Sequence, residues 1–197
     1  MALDFALIDR STQYAIDSLE SSKTICPGLL YVLDLLDSEL LAKLQTYIFD
    51  ENIVWGIQEH HDGDGYHYDR KKINWISDSV IEETHMVLEG LTDYINQCFS
   101  RQNKFLGLSI WKDEHSYQVP LHIDNPVIDV SVQIYLNDNN MDLGTRFQLD
   151  TVFKIPYKTN HGYLMDNRQH IQHFYDGKSP EDYHRYSLYA IWADANK

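Results

Sequence analysis

The sequence predicts a mainly β fold with N-terminal helices (α+β), and three observations predict it. The apolar period changes from helical to two near Leu106. Short alternating runs, separated by turn residues, then continue to the C terminus. Before that point, two stretches carry apolar stripes at helical spacing, each opened by capping residues. Many short strands after a helical segment suggest a sandwich or jelly roll with helices packed on one side.

The elements follow in order. "LLYVLDLL" (29–36) reads as a short strand entering a helix, which Asp37 or Ser38 caps with Glu39 in its first turn. Leu40, Leu41, Leu44, Tyr47 and Ile48 form its apolar face. Ser79 and Glu82 fit a capping box for a second helix. Its stripe runs through Val80, Thr84, Val87, Leu88, Leu91, Ile95 and Cys98. "LGLSIWK" (106–112) is a strand. In "VIDVSVQIYLN" (127–137), Ile128, Val130, Val132, Ile134 and Leu136 point one way, and Asp129, Ser131, Gln133 and Tyr135 the other. "NDNNMDLG" (137–144) is a turn, with Asp138–Asp142 read as a hairpin. Further strands are expected near 146–156, 161–166, 170–175 and 184–193.

The 197 residues suffice for one domain, with residues 1–104 as support and 105–193 as the core. At 43% hydrophobic, the chain is expected to fold. A net charge of −14 argues against a nucleic-acid backbone or an anionic membrane as main partner. Cys26 and Cys98 lie far apart without metal-type spacing, which fits a reduced, cytoplasmic protein. The opening "MALDFALIDRSTQ" lacks a basic start and a continuous apolar run, so a signal peptide is not expected.

The chemistry centres on "QVPLHIDNP" (118–126). Residues i and i+2 of a strand share a face, so His122 and Asp124 aim at one point. Pro120 and Asn125-Pro126 set the pair at a strand end. Alone, the pair fits a polar turn better. Its weight comes from "GYLMDNRQHIQHF" (162–174), which supplies His170 and His173, and from "HRYSLYAIW" (184–192), where Arg185 and Ser187 share a face. Two histidines and a carboxylate can hold divalent iron on one side and leave the other positions open. A 2-oxoacid could chelate there. If that acid is 2-oxoglutarate, Arg185 offers a planar fork for its far carboxylate and Ser187 a hydroxyl. An inward Arg185 needs an anion, because an unpaired buried charge costs about 3–5 kcal/mol.

These residues, in this order, resemble the Fe(II)/2-oxoglutarate-dependent dioxygenases, most of all the prolyl 4-hydroxylase-like branch. "SVQIYLND" (131–138) and "RYSLYAIW" (185–192) look like that family's strands after the dyad and at its close. The resemblance covers about residues 105–193. It implies a double-stranded β-helix, or jelly roll, core buttressed by helices. It implies that iron is bound by His122, Asp124 and a distal histidine. His173 suits that place better than His170 by its distance from Gly162. Arg185 would bind 2-oxoglutarate, with Ser187 assisting. The activity implied is hydroxylation of an unactivated C–H of a protein, peptide (a prolyl peptide included) or small molecule. O2 would be co-substrate, with ascorbate a candidate reductant. Collagen-type relatives usually carry Lys at the Arg185 position, so a collagen-like substrate is not implied. The family often has a co-substrate Tyr where this chain has Trp111, so that role could pass to Tyr117 or Tyr135.

Other motifs carry less. "EHHDGDGYHYDR" (59–70) begins like a calcium loop, but Tyr66 and His67 fall where an oxygen ligand and a Gly are needed. A surface loop over the site is the better expectation, with Tyr66, Tyr68 and Arg70 able to touch substrate. "DRKKINW" (69–75) reads as a solvated edge. Two other classes stand beside the oxygenase. A jelly-roll binding module would need neither the histidines nor the arginine. A cupin-like metalloenzyme without 2-oxoglutarate would keep the metal and have no use for Arg185 and Ser187.

Overall fold

The computed structural model describes residues 3–61, 67–73, 78–115, 117–138, 141–177 and 179–196, and for 57–61 and 67–73 the backbone alone. Four helices and twelve strands occur among them. The helices are α1 (Phe5–Glu20), α2 (Ser38–Ile48), α3 (Ser79–Gly90) and α4 (Thr92–Phe99). The strands of the first half are β1 (Lys23–Cys26), β2 (Leu29–Leu33), β3 (Gly56–His61) and β4 (His67–Ile73). Those of the second half are β5 (Asn103–Asp113), β6 (Val119–His122), β7 (Val130–Tyr135), β8 (Arg146–Gln148), β9 (Val152–Lys154), β10 (His161–Asp166), β11 (His173–Tyr175) and β12 (Arg185–Asp194).

All pairings are antiparallel. One sheet has eight strands in the order β1-β2-β10-β7-β12-β5-β4-β3, and the other has four, β6-β11-β8-β9. This is the expected jelly-roll arrangement of two sheets with helices on one side. The alternation in β7 explains the layering. Val130, Val132, Ile134 and Leu136 join α2 and α3 residues such as Leu40, Leu44, Val87 and Leu88 in a core between the helices and the large sheet. Tyr135, on the other face, joins Phe147, Tyr163 and Tyr175 in a second core between the two sheets. Every residue of β7 is therefore buried. Each fully buried Leu or Ile of these cores stabilises the fold by about 1.5–3 kcal/mol at most.

Several expectations are corrected. Helix α1 was not foreseen, although Asp4 caps it by accepting from the Leu7 amide at 3.0 Å and Leu7, Ile8, Ala15 and Leu19 form a buried stripe. Asp37 caps α2 as expected, accepting from the amides of Glu39 and Leu40 at 2.8 and 3.0 Å. The stripe from Val80 to Cys98 belongs to two helices, because the chain breaks at Leu91. Asp78, one residue before the expected Ser79, is the cap of α3. The turn after β7 is not a hairpin. It leads from the large sheet to β8 in the small one, and Asp142 pairs there with Arg146 and Lys154.

Within residues 1–104, β1 to β4 extend the large sheet at both edges. The segment expected as a loop over 59–70 is largely a hairpin of β3 and β4, paired to β5. Residues 62–66 and the side chains of Tyr68 and Arg70 lie outside the described residues, and so do the expectations placed on them. Among the described residues, no helix is long and apolar enough to cross a membrane.

Candidate metal centre and its cavity

Strands β6 and β11 are neighbours in the small sheet, and His122 and His173 stand directly opposite each other. Their ring centroids are 4.3 Å apart. Asp124 follows β6 by two residues and brings its carboxylate to both rings. Its Oδ1 is 3.7 Å from His122 Nε2 and 3.5 Å from His173 Nε2. Among the described residues these three form the group able to hold a metal, with donor atoms all within 4.8 Å of one another. Donors about 2.1 Å from an ion and at right angles lie about 3.0 Å apart, so small side-chain shifts close this set onto a metal.

The outer nitrogens are tied down. His122 Nδ1 donates to the Pro120 carbonyl at 2.8 Å, and His173 Nδ1 to that of Ile171 at 3.5 Å. Each ring thereby presents the lone pair of Nε2 to the centre, the arrangement a metal-bound histidine needs. Burial holds the His173 pKa below its usual value, which keeps that ring neutral. Burial acts in the same direction on His122, but the hydrogen bond and charge of Asp124 outweigh it and raise its pKa. Burial alone would raise the pKa of Asp124. Its hydrogen bonds to His122 and Tyr189 lower it instead, so it stays ionised. His170 is exposed, in a left-handed turn after the short 3-10 helix Asn167–Gln169, and takes no part in the cluster.

The centre opens into a cavity of about 560 Å³, within the range of about 300–1,000 Å³ usual for small-molecule sites. Trp111, Tyr117, Gln133, Thr145, Tyr163, Tyr175, Arg185 and Tyr189 are among its walls. Leu121 and Ile123, both nearly half exposed, also line it.

Arg185 points inward and is 2% exposed. An anion does meet it, from within the protein. Its Nη1 donates to Asp113 Oδ2 at 2.6 Å, across the β12–β5 pairing. Burial lowers the pKa of the guanidinium, but the Asp113 carboxylate reverses this and holds it above its ordinary value. The flat guanidinium stacks over Tyr175, with its carbon 4.3 Å from the ring centre, and lies 5.1 Å from that of Tyr135. Its Nη2 makes a long bond of 3.3 Å to Thr145 Oγ1, and its buried Nε has no partner. Nε and Nη2 form one edge of the fork, and with only the long Thr145 bond on it this edge has donor capacity left for a carboxylate. Burial pushes the Tyr175 phenol up to about 12, so it remains a donor.

Ser187 and Tyr135 stand behind the cavity wall and do not line it. Tyr135 donates to Thr145 Oγ1 at 3.0 Å and accepts from the Thr145 amide at 2.7 Å. Thr145 Oγ1 donates to Gln133 Oε1 at 3.1 Å, and Gln133 Nε2 donates to Ser187 Oγ at 3.2 Å. The two residues thus fix Thr145 and Gln133, which form the wall. Tyr117 does line the cavity, stacked on Tyr175 with centroids 5.7 Å apart.

A two-sheet jelly roll with a His-Asp-His cluster at the end of the small sheet defines the class to which this fold compares. Comparison with solved structures gives the particulars. A prolyl hydroxylase from Trichoplax adhaerens, solved with a hypoxia-inducible-factor peptide, matches at a TM-score of 0.66 and 16% identity over 98% of this chain and 93% of that one. A Pseudomonas putida prolyl-4-hydroxylase matches at 0.66 and 15% identity, over 92% and 98%. HygX from Streptomyces hygroscopicus, solved with nickel and 2-oxoglutarate, matches at 0.61 and 10% identity, over 94% and 87%. The chain therefore has the fold of these proteins. No protein-family model and no curated protein matches its sequence.

Proposed function

We propose that the chain is an Fe(II)- and 2-oxoglutarate-dependent oxygenase that hydroxylates an unactivated C–H. The observation that carries this is the set of His122 Nε2, His173 Nε2 and Asp124 Oδ1, aimed at one point beside a cavity that also holds a buried arginine. Iron bound there would supply the redox chemistry, taking O2, 2-oxoglutarate and the C–H bond to succinate, CO2 and the hydroxylated product.

The residues of this chain do the rest. His122 and His173 are held in the ligating tautomer by Pro120 and Ile171. The open edge of Arg185, with Thr145 beside it, binds the far carboxylate of the oxoacid. Tyr163 and Trp111, buried and aromatic, help exclude water from the cavity. Leu121 and Ile123 offer the substrate an apolar approach. The neighbours include enzymes solved with a peptide and with the small molecule hygromycin B, so a protein, a peptide or a small molecule each suits the fold. The unpaired Cys26 and Cys98 support a reducing, cytoplasmic setting.

A specific observation favours a second reading. Arg185 already has Asp113, so its burial does not require an oxoacid. A metalloenzyme of the same fold without 2-oxoglutarate would keep this ion pair as structure. Anaerobic titration with Fe(II) and then 2-oxoglutarate decides. The weak visible charge-transfer band of the chelate, and succinate formed on admitting air, are the expected results. Iron binding with no response to 2-oxoglutarate would favour the second reading.

A further inference from the structure

Strand β12 carries three inward residues at i, i+2 and i+4: Arg185, Ser187 and Tyr189. The third, Tyr189, lines the same cavity and directs its hydroxyl to Asp124. Tyr189 donates to Asp124 Oδ2 at 3.0 Å. Ser131 Oγ, from the neighbouring β7, approaches the same oxygen at 3.4 Å and Asn167 Oδ1 at 3.3 Å. Asn167 Nδ2 is buried without a partner. Turned about its terminal bond, the Asn167 amide gives this nitrogen to Ser131, whose single proton then goes to Asp124. Both oxygens of Asp124 thus have separate assignments. Oδ1 faces the two imidazoles, and Oδ2 is held from behind by two hydroxyls.

We propose that Tyr189 and Ser131 are positioning residues that keep Asp124 a one-oxygen ligand, so that three coordination positions stay open. A carboxylate that swings to bind through both oxygens takes one of those positions. An oxoacid chelating through two atoms, together with O2, needs all three. The pair therefore controls what the metal can accept more than how tightly it is held. This rests on the metal and 2-oxoglutarate reading above, and its test is built to separate the two.

The full chain is loaded with Mn(II), and three variants are compared with wild type: Tyr189→Phe, Ser131→Ala and both together. Calorimetry gives the affinity for Mn(II), then for 2-oxoglutarate on the loaded protein. Water-proton relaxation gives the number of exchangeable waters on the ion without any oxoacid. Tyr189→Phe should bind 2-oxoglutarate at least about tenfold more weakly, with a smaller loss of affinity for Mn(II), and lose about one of about three exchangeable waters. The double variant should go further in the same direction. An unchanged water count in all the variants overturns the proposal. So does loss of metal affinity with oxoacid affinity intact, since that marks plain support of the ligand. If wild type binds Mn(II) but not 2-oxoglutarate, the functional reading fails, and the water count still decides this one.

Discussion

Asp113 and Arg185 face each other across β5 and β12 as a buried ion pair, 2.6 Å from oxygen to nitrogen and at most 2% exposed. Such a pair stabilises little against an apolar replacement, but removing one member strands the other charge. Arg185→Met alone, or Asp113→Leu alone, should each cost about 3–5 kcal/mol of stability, while both together should cost far less than the sum. Denaturant melts of the double-mutant cycle check this. Arg185→Met should also weaken 2-oxoglutarate binding at least about tenfold with metal binding unchanged. Wild-type affinity in that variant would return Arg185 to a purely structural role.

The two histidines near the end of the chain should separate cleanly. His173→Ala removes one of three donors and should reduce metal affinity by about a hundredfold or more, abolishing metal-dependent succinate formation. His170→Ala changes an exposed ring in a left-handed turn and should leave metal affinity alone and stability within about 0.5 kcal/mol. Metal titration of the two variants side by side is sufficient. Loss of metal in the His170 variant would contradict the cluster as described.

Two further residues, one in the cavity wall and one in the β10–β7 seam, can be tested by small substitutions. Thr145 Oγ1 accepts from Tyr135 and Arg185 and donates to Gln133. Thr145→Val keeps the shape and removes these bonds. It should raise the KM for 2-oxoglutarate about tenfold, with kcat less affected. Gly162 has a different constraint: a Cβ there would meet the Gln133 carbonyl oxygen at 1.8 Å. Gly162→Ala should push β10 away from β7 and cost about 3 kcal/mol or more, read as a lowered Tm.

Much of this was legible in the sequence because period-two alternation reports directly on which face a residue takes. The two faces of β7 and the opposition of Arg185 to Leu188 and Trp192 follow from it. The same alternation puts Tyr189 on the face of Arg185 and Ser187, yet the sequence reading stopped at Ser187, and nothing in the sequence says which hydroxyl meets which carboxylate. Asp113 was invisible for the same reason: its partner lies 72 residues away and is set by the register of β12 on β5. Gln133 and Thr145 were overlooked because a neutral polar residue on a strand carries no chemical signature of its own. Tyr135 and Ser187 were placed on the correct face, yet the depth of a side chain behind a cavity wall depends on what packs in front of it. Helix α1 was missed although its cap and stripe were present. The break at Leu91 escaped because a continuous apolar stripe does not record a change of helix axis.

The far end of the large sheet predicts the acid limb of stability. Asp166 is nearly buried and accepts from Arg101 through both oxygens, at 2.6 and 2.9 Å, from Gln169 at 3.1 Å and from the Arg168 amide at 3.1 Å. Burial raises its pKa, but the Arg101 bonds and charge outweigh this and hold it below the usual carboxylate range. A carboxyl whose pKa is lower folded than unfolded binds protons more readily in the unfolded chain. Its contribution is therefore fully present above the unfolded value, near about 3.9, and is lost as pH falls through the lower folded value. Arg101→Met removes the largest stabilising contact and leaves a buried carboxylate with fewer partners. It should cost about 3 kcal/mol at pH 7 and, with the Asp166 pKa now higher, the stability curve below about pH 5 should fall less steeply than in wild type. Urea melts between pH 3 and pH 7, run with a tenfold change in salt, would show it. Parallel curves for the two proteins would mean that Asp166 owes its low pKa to the amides of the 3-10 turn and not to Arg101.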